Sequence, residues 1–182
     1  MSPGVPGSDD DPAGRVVQLA EDAALPGGGR RFGTLAELQE FVTGVLADPW
    51  WHETFPWAPV DVEVRPRSST ATFSAAHVSV TGEAVVFLRR GSWDAVTVLH
   101  ELAHVADRSG LGDRTSHGES FTAALAQLWR RHLGVFAWAA LVRDLSDGDS
   151  GVRRVRPATP PANEIDAGPG RAGRHRPAPV DP

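Results

Sequence analysis

The chain of 182 residues contains no cysteine and no tyrosine, and its 18 basic residues are all arginine, so lysine is absent as well. Without cysteine there can be no disulfide framework, no cysteine-ligated zinc ribbon and no thiol nucleophile. Without lysine, Schiff-base chemistry and phosphate binding by a P-loop lysine are excluded. The formal net charge of −5 gives no reason to expect attraction to nucleic acid or to anionic membranes, and neither is an expected partner.

Long hydrophobic stretches are also missing. The longest apolar run, at 135–142, is far shorter than the roughly 18–20 residues that span a bilayer. The first residues are acidic and rich in proline and glycine, whereas a signal peptide begins with basic residues followed by an apolar stretch. A cytoplasmic protein is therefore expected.

Composition divides the chain into one domain and two tails. Residues 151–182 are rich in proline and glycine and carry few large apolar side chains, so this segment cannot bury enough surface to offset the entropy of ordering it. Its arginines could touch an acidic partner, but a solvated tail is the favoured interpretation. We predict a disordered tail at 1–14, a single domain at 15–147, and a disordered Pro/Gly/Arg-rich tail at 148–182.

The first part of the domain carries clear helix signals. Thr34 and Glu37 have capping-box spacing at the start of a helix predicted over 35–47, which Asp48-Pro49 should end. A Pro-interrupted loop with four aromatic residues is predicted next. These aromatics could line a substrate groove, but packing over a core is favoured: Trp50, Trp51, Phe55 and Trp57.

Alternating apolar residues then predict strands. The clearest alternation lies at 60–64, and two further strand-like runs at about 70–80 and 84–89 flank a turn at Gly82 that is typical of a hairpin. Together with the helices, these strands predict an α+β domain in which a short antiparallel sheet packs on helices.

Two further helices are expected near the end of the domain. The segment 135–142 is predicted to be a buried helix, because nearly all its residues are apolar. The helix before it has a packing side formed by Phe121, Leu125, Leu128 and Trp129.

A helix predicted from about Ser92 to Ser109 contains the pattern HExxH, formed by His100, Glu101 and His104. Residues four apart lie one above the other on a helix, so both imidazoles can bind one metal ion. Glu101 follows about 100° around the helix, where its carboxylate can accept a proton from water without being a ligand. The alternative is that both histidines are hydrogen-bonded core residues and Glu101 pairs with an arginine. Metal binding is favoured, because the rest of the helix is apolar and buried polar groups need partners.

A hydrolytic zinc site needs a third protein ligand and an open position for water. The candidates are Asp107, Asp113, His117 and Glu119. His117 is our choice, because a capping box from Ser116 to Glu119 would place it in the first helical turn, where the helix dipole keeps an imidazole neutral. Asp107 is predicted instead to orient a ligand imidazole through a hydrogen bond to its outer nitrogen, and the alternative is an ordinary surface acid.

The stretch from His100 to His104, followed by His117-Gly-Glu-Ser-Phe121, resembles the HExxH…HGxxF/W signature of SprT-like (Spartan-type) zinc metallopeptidases. It is similar also to small actinobacterial proteins described as metallohydrolases, over roughly 15–145. The resemblance implies a zincin-like fold with His100, His104 and His117 as zinc ligands and Glu101 as base. The chain lacks the cysteine-rich ribbon that SprT-like proteins often carry, so DNA-linked activity is not expected.

Zincins often stabilise the oxyanion with tyrosine, which this chain lacks. His77, His132, Arg108 and Arg114 are the remaining donors, and none is assigned to the site. We expect a zinc-dependent metallohydrolase, specifically a metallopeptidase acting on a peptide or protein substrate, with Glu101 as general base to a metal-activated water. The alternatives are a catalytically silent zinc-binding structural or partner-binding module, and a non-peptide amidase on the same scaffold.

Overall fold

A computed structural model describes residues 11–68, 70–107 and 117–147 and has an α+β architecture, as predicted. The elements are, in chain order, α1 (Pro12–Ala24), α2 (Leu35–Ala47), α3 (Pro49–Thr54), β1 (Val62–Pro66), β2 (Ala75–Val78), β3 (Ala84–Leu88), α4 (Ala95–Ala106), α5 (Glu119–His132) and α6 (Val135–Asp147). In the described part of the chain, no helix has the length and apolar character that crossing a bilayer requires.

Helix α1 begins inside the segment that was predicted to be a tail. Asp11 is its N-cap and accepts a hydrogen bond from the backbone N–H of Ala13, and Pro12 occupies the first helical position. The folded region therefore starts before the predicted boundary at residue 15. Residues 1–10 and 148–182, which make up the rest of the predicted tails, lie outside the described residues.

The sheet is mixed rather than antiparallel, with strand order β1-β3-β2. The predicted hairpin is present: β2 and β3 pair antiparallel, and Gly82 in their turn has a φ of +86° that favours glycine. Strand β1, which begins two residues later than predicted, pairs parallel to β3 with Val62 opposite Ala84. The prediction of a purely antiparallel sheet was therefore wrong, because β1 skips its neighbour in sequence and pairs with the strand after it.

The aromatic segment after α2 forms a short helix, α3, and not the predicted loop. Asp48 ends α2 and caps α3 by accepting a hydrogen bond from the N–H of Trp50. Trp51 and Phe55 are fully buried and pack edge to face, which agrees with the preferred core assignment. Trp57 is half exposed, and its indole N–H donates to the carbonyl of Ala106 at the end of α4.

Helix α4, which carries the HExxH pattern, is shorter than predicted. Its N-cap is Asp94 and not Ser92, because the Asp94 side chain accepts the N–H of Thr97. It ends at Ala106, and the predicted end at Ser109 lies outside the described residues. The first turn of α4 is hydrogen-bonded to the loop between α1 and α2, since the carbonyl of Gly28 accepts the N–H of Val96. Gly28 has a φ of +77°, and a Cβ there would lie 2.5 Å from Asp94 Cγ.

Helix α4 contacts the sheet on one side and α5 on the other, so it lies at the centre of the domain. The predicted packing side of α5 is confirmed, since Phe121, Leu125, Leu128 and Trp129 are all fully buried. Helix α6 packs on α1 and α5 with one face only. The prediction that it is buried was wrong at its start: Phe136 is 90% exposed, whereas Leu141 and Leu145 are buried.

Candidate metal centre

Three imidazoles meet beside the middle of the domain. His100 and His104 lie one turn apart on α4, and His117 lies directly before α5. The ring centroids are 5.1 Å apart for His100–His104, 5.2 Å for His100–His117 and 4.8 Å for His104–His117. One ring nitrogen of each histidine lies within 4.8 Å of those of the other two. The structure thus brings together the three residues that were predicted to bind zinc, two from α4 and one from the turn before α5.

His117 is not in the first turn of α5, as the predicted capping box required. It precedes the N-cap residue Gly118, which provides no side-chain cap, and Ser116 lies outside the described residues. Glu119 is exposed at the first position of α5. A second candidate ligand, Asp113, also lies outside the described residues.

The ring orientations are defined by contacts at both nitrogens. The Nε2 atoms of His100 and His117 face each other at 3.2 Å. On the outer sides, Nδ1 of His100 lies 3.0 Å from Oε2 of Glu21, and Nδ1 of His117 lies 2.6 Å from Oδ2 of Asp11. Both carboxylates belong to α1 or its cap. The site therefore depends on a helix that lies outside the sequence motif.

Phe121 forms an apolar wall against the cluster. Its ring centroid lies 5.1 Å from that of His100, 4.3 Å from that of His104 and 4.7 Å from that of His117, and the side chain is fully buried. An apolar wall of this kind restricts the rotation of the imidazoles and keeps bulk water from one side of them.

The electrostatic environment favours neutral imidazole at two of the three positions. Burial lowers the pKa of His104 to about 2, with the positive charges of His100 and His117 acting in the same direction. Burial also lowers the pKa of His117, although the hydrogen bond and charge of Asp11 oppose it. A metal ligand must be neutral imidazole, so both positions are suited to coordination.

His100 differs from the other two because a carboxylate is buried beside it. Burial acts to lower its pKa, but the charge of Glu21 and its hydrogen bond outweigh this, and the pKa of His100 is raised to about 9. Glu21 therefore makes His100 the most basic of the three rings, and a more basic imidazole is a stronger electron donor to a cation.

Glu101 is buried beside His100, with 4% of its surface exposed. Its Oε2 has no hydrogen-bond partner among the described residues. Burial raises its pKa to about 7, while the positive charges of His100 and Arg67 act to lower it. A buried carboxylate with an unpartnered oxygen is costly unless a cation, a water or a substrate group completes its environment.

The remaining predicted residues take different places. Asp107 is the C-cap of α4, and its charge acts to raise the pKa of His117, so it lies near the cluster. Its role in orienting a ligand stays a prediction. His77 is exposed on β2, and His132 lies at the other end of α5, so neither belongs to the cluster. Arg108 and Arg114 lie outside the described residues.

Sequence reasoning missed Asp11 and Glu21. Asp11-Pro12 is a helix start signal, with an N-cap acid before proline at the first helical position. Glu21 follows Val17 by four residues and lies on the same buried face of α1. An acidic residue on an apolar face is a detectable signal, but nothing in the local sequence connects it to His100, which lies 79 positions away.

The donor set resembles those that hold zinc. Three imidazole nitrogens this close together could hold a metal ion, and imidazole suits zinc better than magnesium or calcium. Comparisons of the chain with protein-family models, with curated protein sequences and with solved structures find no match. Function must therefore be inferred from the chemistry of the site itself.

Proposed function

We propose that the protein is a zinc-dependent metallohydrolase with a zincin-like domain related to the SprT-like metallopeptidases. His100, His104 and His117 would hold the ion, and Glu101 would act as the general base. The observation that carries this proposal is the convergence of three imidazoles, two from α4 and one from the turn before α5, together with the buried carboxylate of Glu101 on α4. A hydrogen-bonded structural cluster would have partners for its buried oxygens, whereas Oε2 of Glu101 has none among the described residues.

The residues of the site divide the chemistry between them. A bound zinc ion would supply Lewis-acid polarisation of a water molecule and of the scissile carbonyl. Glu101 would accept the proton of the attacking water at Oε2 and later return it to the leaving nitrogen. Phe121 and the buried side of α4 would keep bulk water away from this proton.

The sheet supports a peptide as substrate. Strand β2 is at one edge of the sheet formed by the described residues, and it is in contact with α4, the helix that carries His100 and His104. An extended peptide can add to such an edge through main-chain hydrogen bonds, which would align a peptide bond with the site independently of its side chains. A peptide or protein is therefore the proposed substrate class.

The test compares wild type with Glu101→Gln, with Glu53→Gln as the matched control because Glu53 is exposed on α3. We expect near-stoichiometric zinc in all three proteins. Wild type and Glu53→Gln should cleave casein at equal rates, and Glu101→Gln should be slower by about 10²–10⁴-fold, the usual contribution of a general base.

Other outcomes separate the alternatives. A wild type that binds zinc and cleaves neither casein nor small amides would support a silent zinc-binding module. Cleavage of small amides without cleavage of casein would select the amidase. A wild type that binds no zinc would refute the proposal as a whole.

A further inference from the structure

We infer that Asp11 and Glu21 of α1 are positioning residues that hold His117 and His100 with their Nε2 atoms facing the metal. This inference rests on the proposed function, because it concerns the same site. It makes α1 part of the metal centre, although this helix lies 79 or more positions before the histidines that it contacts.

The contacts form a continuous row. Oδ2 of Asp11 lies 2.6 Å from Nδ1 of His117, and Nε2 of His117 lies 3.2 Å from Nε2 of His100. At the other end of the row, Nδ1 of His100 lies 3.0 Å from Oε2 of Glu21. Asp11 caps the start of α1, and Glu21 lies near its end, roughly 15 Å further along at 1.5 Å per residue. The two carboxylates thus enclose the pair of imidazoles from opposite sides.

This row determines the tautomer of both rings. A carboxylate accepts hydrogen bonds, so each Nδ1 that contacts one must carry the proton. In a neutral ring the other nitrogen, Nε2, then has the free lone pair. Metal binding requires both rings to be neutral, and the two facing Nε2 lone pairs are then directed at one point, where a cation can lie between them. Carboxylate–imidazole–metal arrangements are known to orient ligands in this way.

Burial of Glu21 argues against a role in stability alone. Its side chain is 6% exposed, and its second oxygen, Oε1, has no hydrogen-bond partner among the described residues. An apolar residue of similar size generally stabilises a core as well as a buried ion pair does, or better. The orientation of His100 is a use for this carboxylate that an apolar residue could not provide.

Space for the contact between Asp11 and His117 depends on Gly14 in the first turn of α1. A Cβ at this position would lie 2.8 Å from His117 Nδ1 and 3.0 Å from Asp11 Oδ2. The backbone of α1 therefore packs directly on the Asp11–His117 pair. Helix α1 is in turn fixed by its contact with α6, which places the carboxylates reproducibly.

The experiment measures zinc affinity by chelator competition in wild type, Glu21→Gln and Asp11→Asn. Both substitutions keep the shape of the side chain and an oxygen acceptor, and remove the charge. Asparagine is also an effective N-cap, so Asp11→Asn retains the cap of α1. The matched control is Asp22→Asn, since Asp22 is exposed and adjacent to Glu21. We expect zinc affinity to fall by about 10–100-fold in Glu21→Gln and in Asp11→Asn, and to be unchanged in Asp22→Asn.

The increase in melting temperature on adding zinc separates positioning from structural support. It is measured for each variant against its own metal-free form, so a change in intrinsic stability cancels. Should Glu21→Gln fold poorly, Asp11→Asn decides alone, because its side chain is at the partly exposed helix start. If wild type binds zinc and both variants bind it as tightly as Asp22→Asn does, the inference is overturned and the proposed function stands. If wild type binds no zinc, the proposed function is what fails.

Discussion

One histidine precedes helix α5 and another ends it, and the two share partial burial and a lowered pKa but differ in their contacts. His117 lies before its first residue and contacts His100, His104 and Asp11. His132 is its last residue, and its ring lies edge-on against Phe41 and Trp50 at centroid distances of 6.5 and 5.8 Å. Burial is the largest cause of a lowered pKa at both positions.

The comparison shows that a buried histidine with a lowered pKa is not by itself evidence of a functional site. His132 belongs to no group of three or more potential metal ligands in the described part of the chain, and its Nε2 has no hydrogen-bond partner there. What distinguishes the His117 end is that donor atoms from α4 and from the turn before α5 converge, while carboxylates contact the outer Nδ1 atoms of His100 and His117. Geometry, and not pKa, is therefore the useful criterion here.

The largest expected difference between the two ends is in metal content. Replacing His117 by alanine removes one of three ligand atoms, so the purified variant should contain little zinc, whereas His132→Ala should retain as much as wild type. His132→Ala should instead lose roughly 0.5–3 kcal/mol of unfolding free energy, because its ring packs between two aromatics. Elemental analysis of zinc per chain checks the expected metal content, and unfolding in urea checks the expected loss of stability. Stoichiometric zinc in His117→Ala would show that this residue is not a ligand.

A second difference concerns the glycine beside each histidine. Gly14 packs against His117, whereas Gly44 in α2 lines a cavity of about 280 Å³ next to His132, and a Cβ added to Gly44 would have nothing within 4 Å. Gly44→Ala should stabilise the protein by about 0.5–1 kcal/mol, as expected in a helix interior. Gly14→Ala should destabilise it by about 1–3 kcal/mol through overpacking, and should also weaken zinc binding. Urea unfolding with and without zinc measures the unfolding free energy and the effect of zinc on it. An equal gain in unfolding free energy for Gly14→Ala and Gly44→Ala would contradict the close packing at His117.

Much of the local structure could be predicted from the sequence. The capping box at Thr34, the turn at Gly82 and the spacing of His100 and His104 each depend on residues at most four apart, where helix and hairpin geometry apply directly. The two helices that were missed both begin with Asp-Pro, at Asp11 and Asp48. Asp11 was placed in a tail and Asp48-Pro49 was interpreted only as the end of α2, although aspartate at the N-cap and proline at the first position equally favour a helix start.

The long-range arrangement could not be predicted in the same way. Parallel pairing of β1 with β3 joins residues 22 positions apart, and the contact from Asp11 to His117 spans 106 positions. Neither pairing leaves a periodic signal in one sequence, because it depends on how whole elements pack. The convergence of His117 on the HExxH pair was predicted only because the residue types and the resemblance pointed to it.

The smallest expected difference between the two ends is in pH dependence. Burial lowers the pKa of His132, and the charge of Arg131 acts in the same direction while that of Asp48 opposes it. The folded protein therefore binds a proton at His132 less readily than the unfolded chain, in which the pKa of a histidine is about 6.5. Stability should therefore fall as the pH drops through about 6.5, and His132→Phe, which keeps an aromatic ring between Phe41 and Trp50, should lack this part of the loss. The measurement is the unfolding free energy of both metal-free proteins at about pH 7.5 and pH 5.5. Titration of the other histidines is common to both proteins and cancels in the difference. Asp48 is not protonated between pH 7.5 and pH 5.5, because its pKa is lowered below 3.8. Equal losses in the two proteins would mean that His132 is as easily protonated in the folded state as in the unfolded chain.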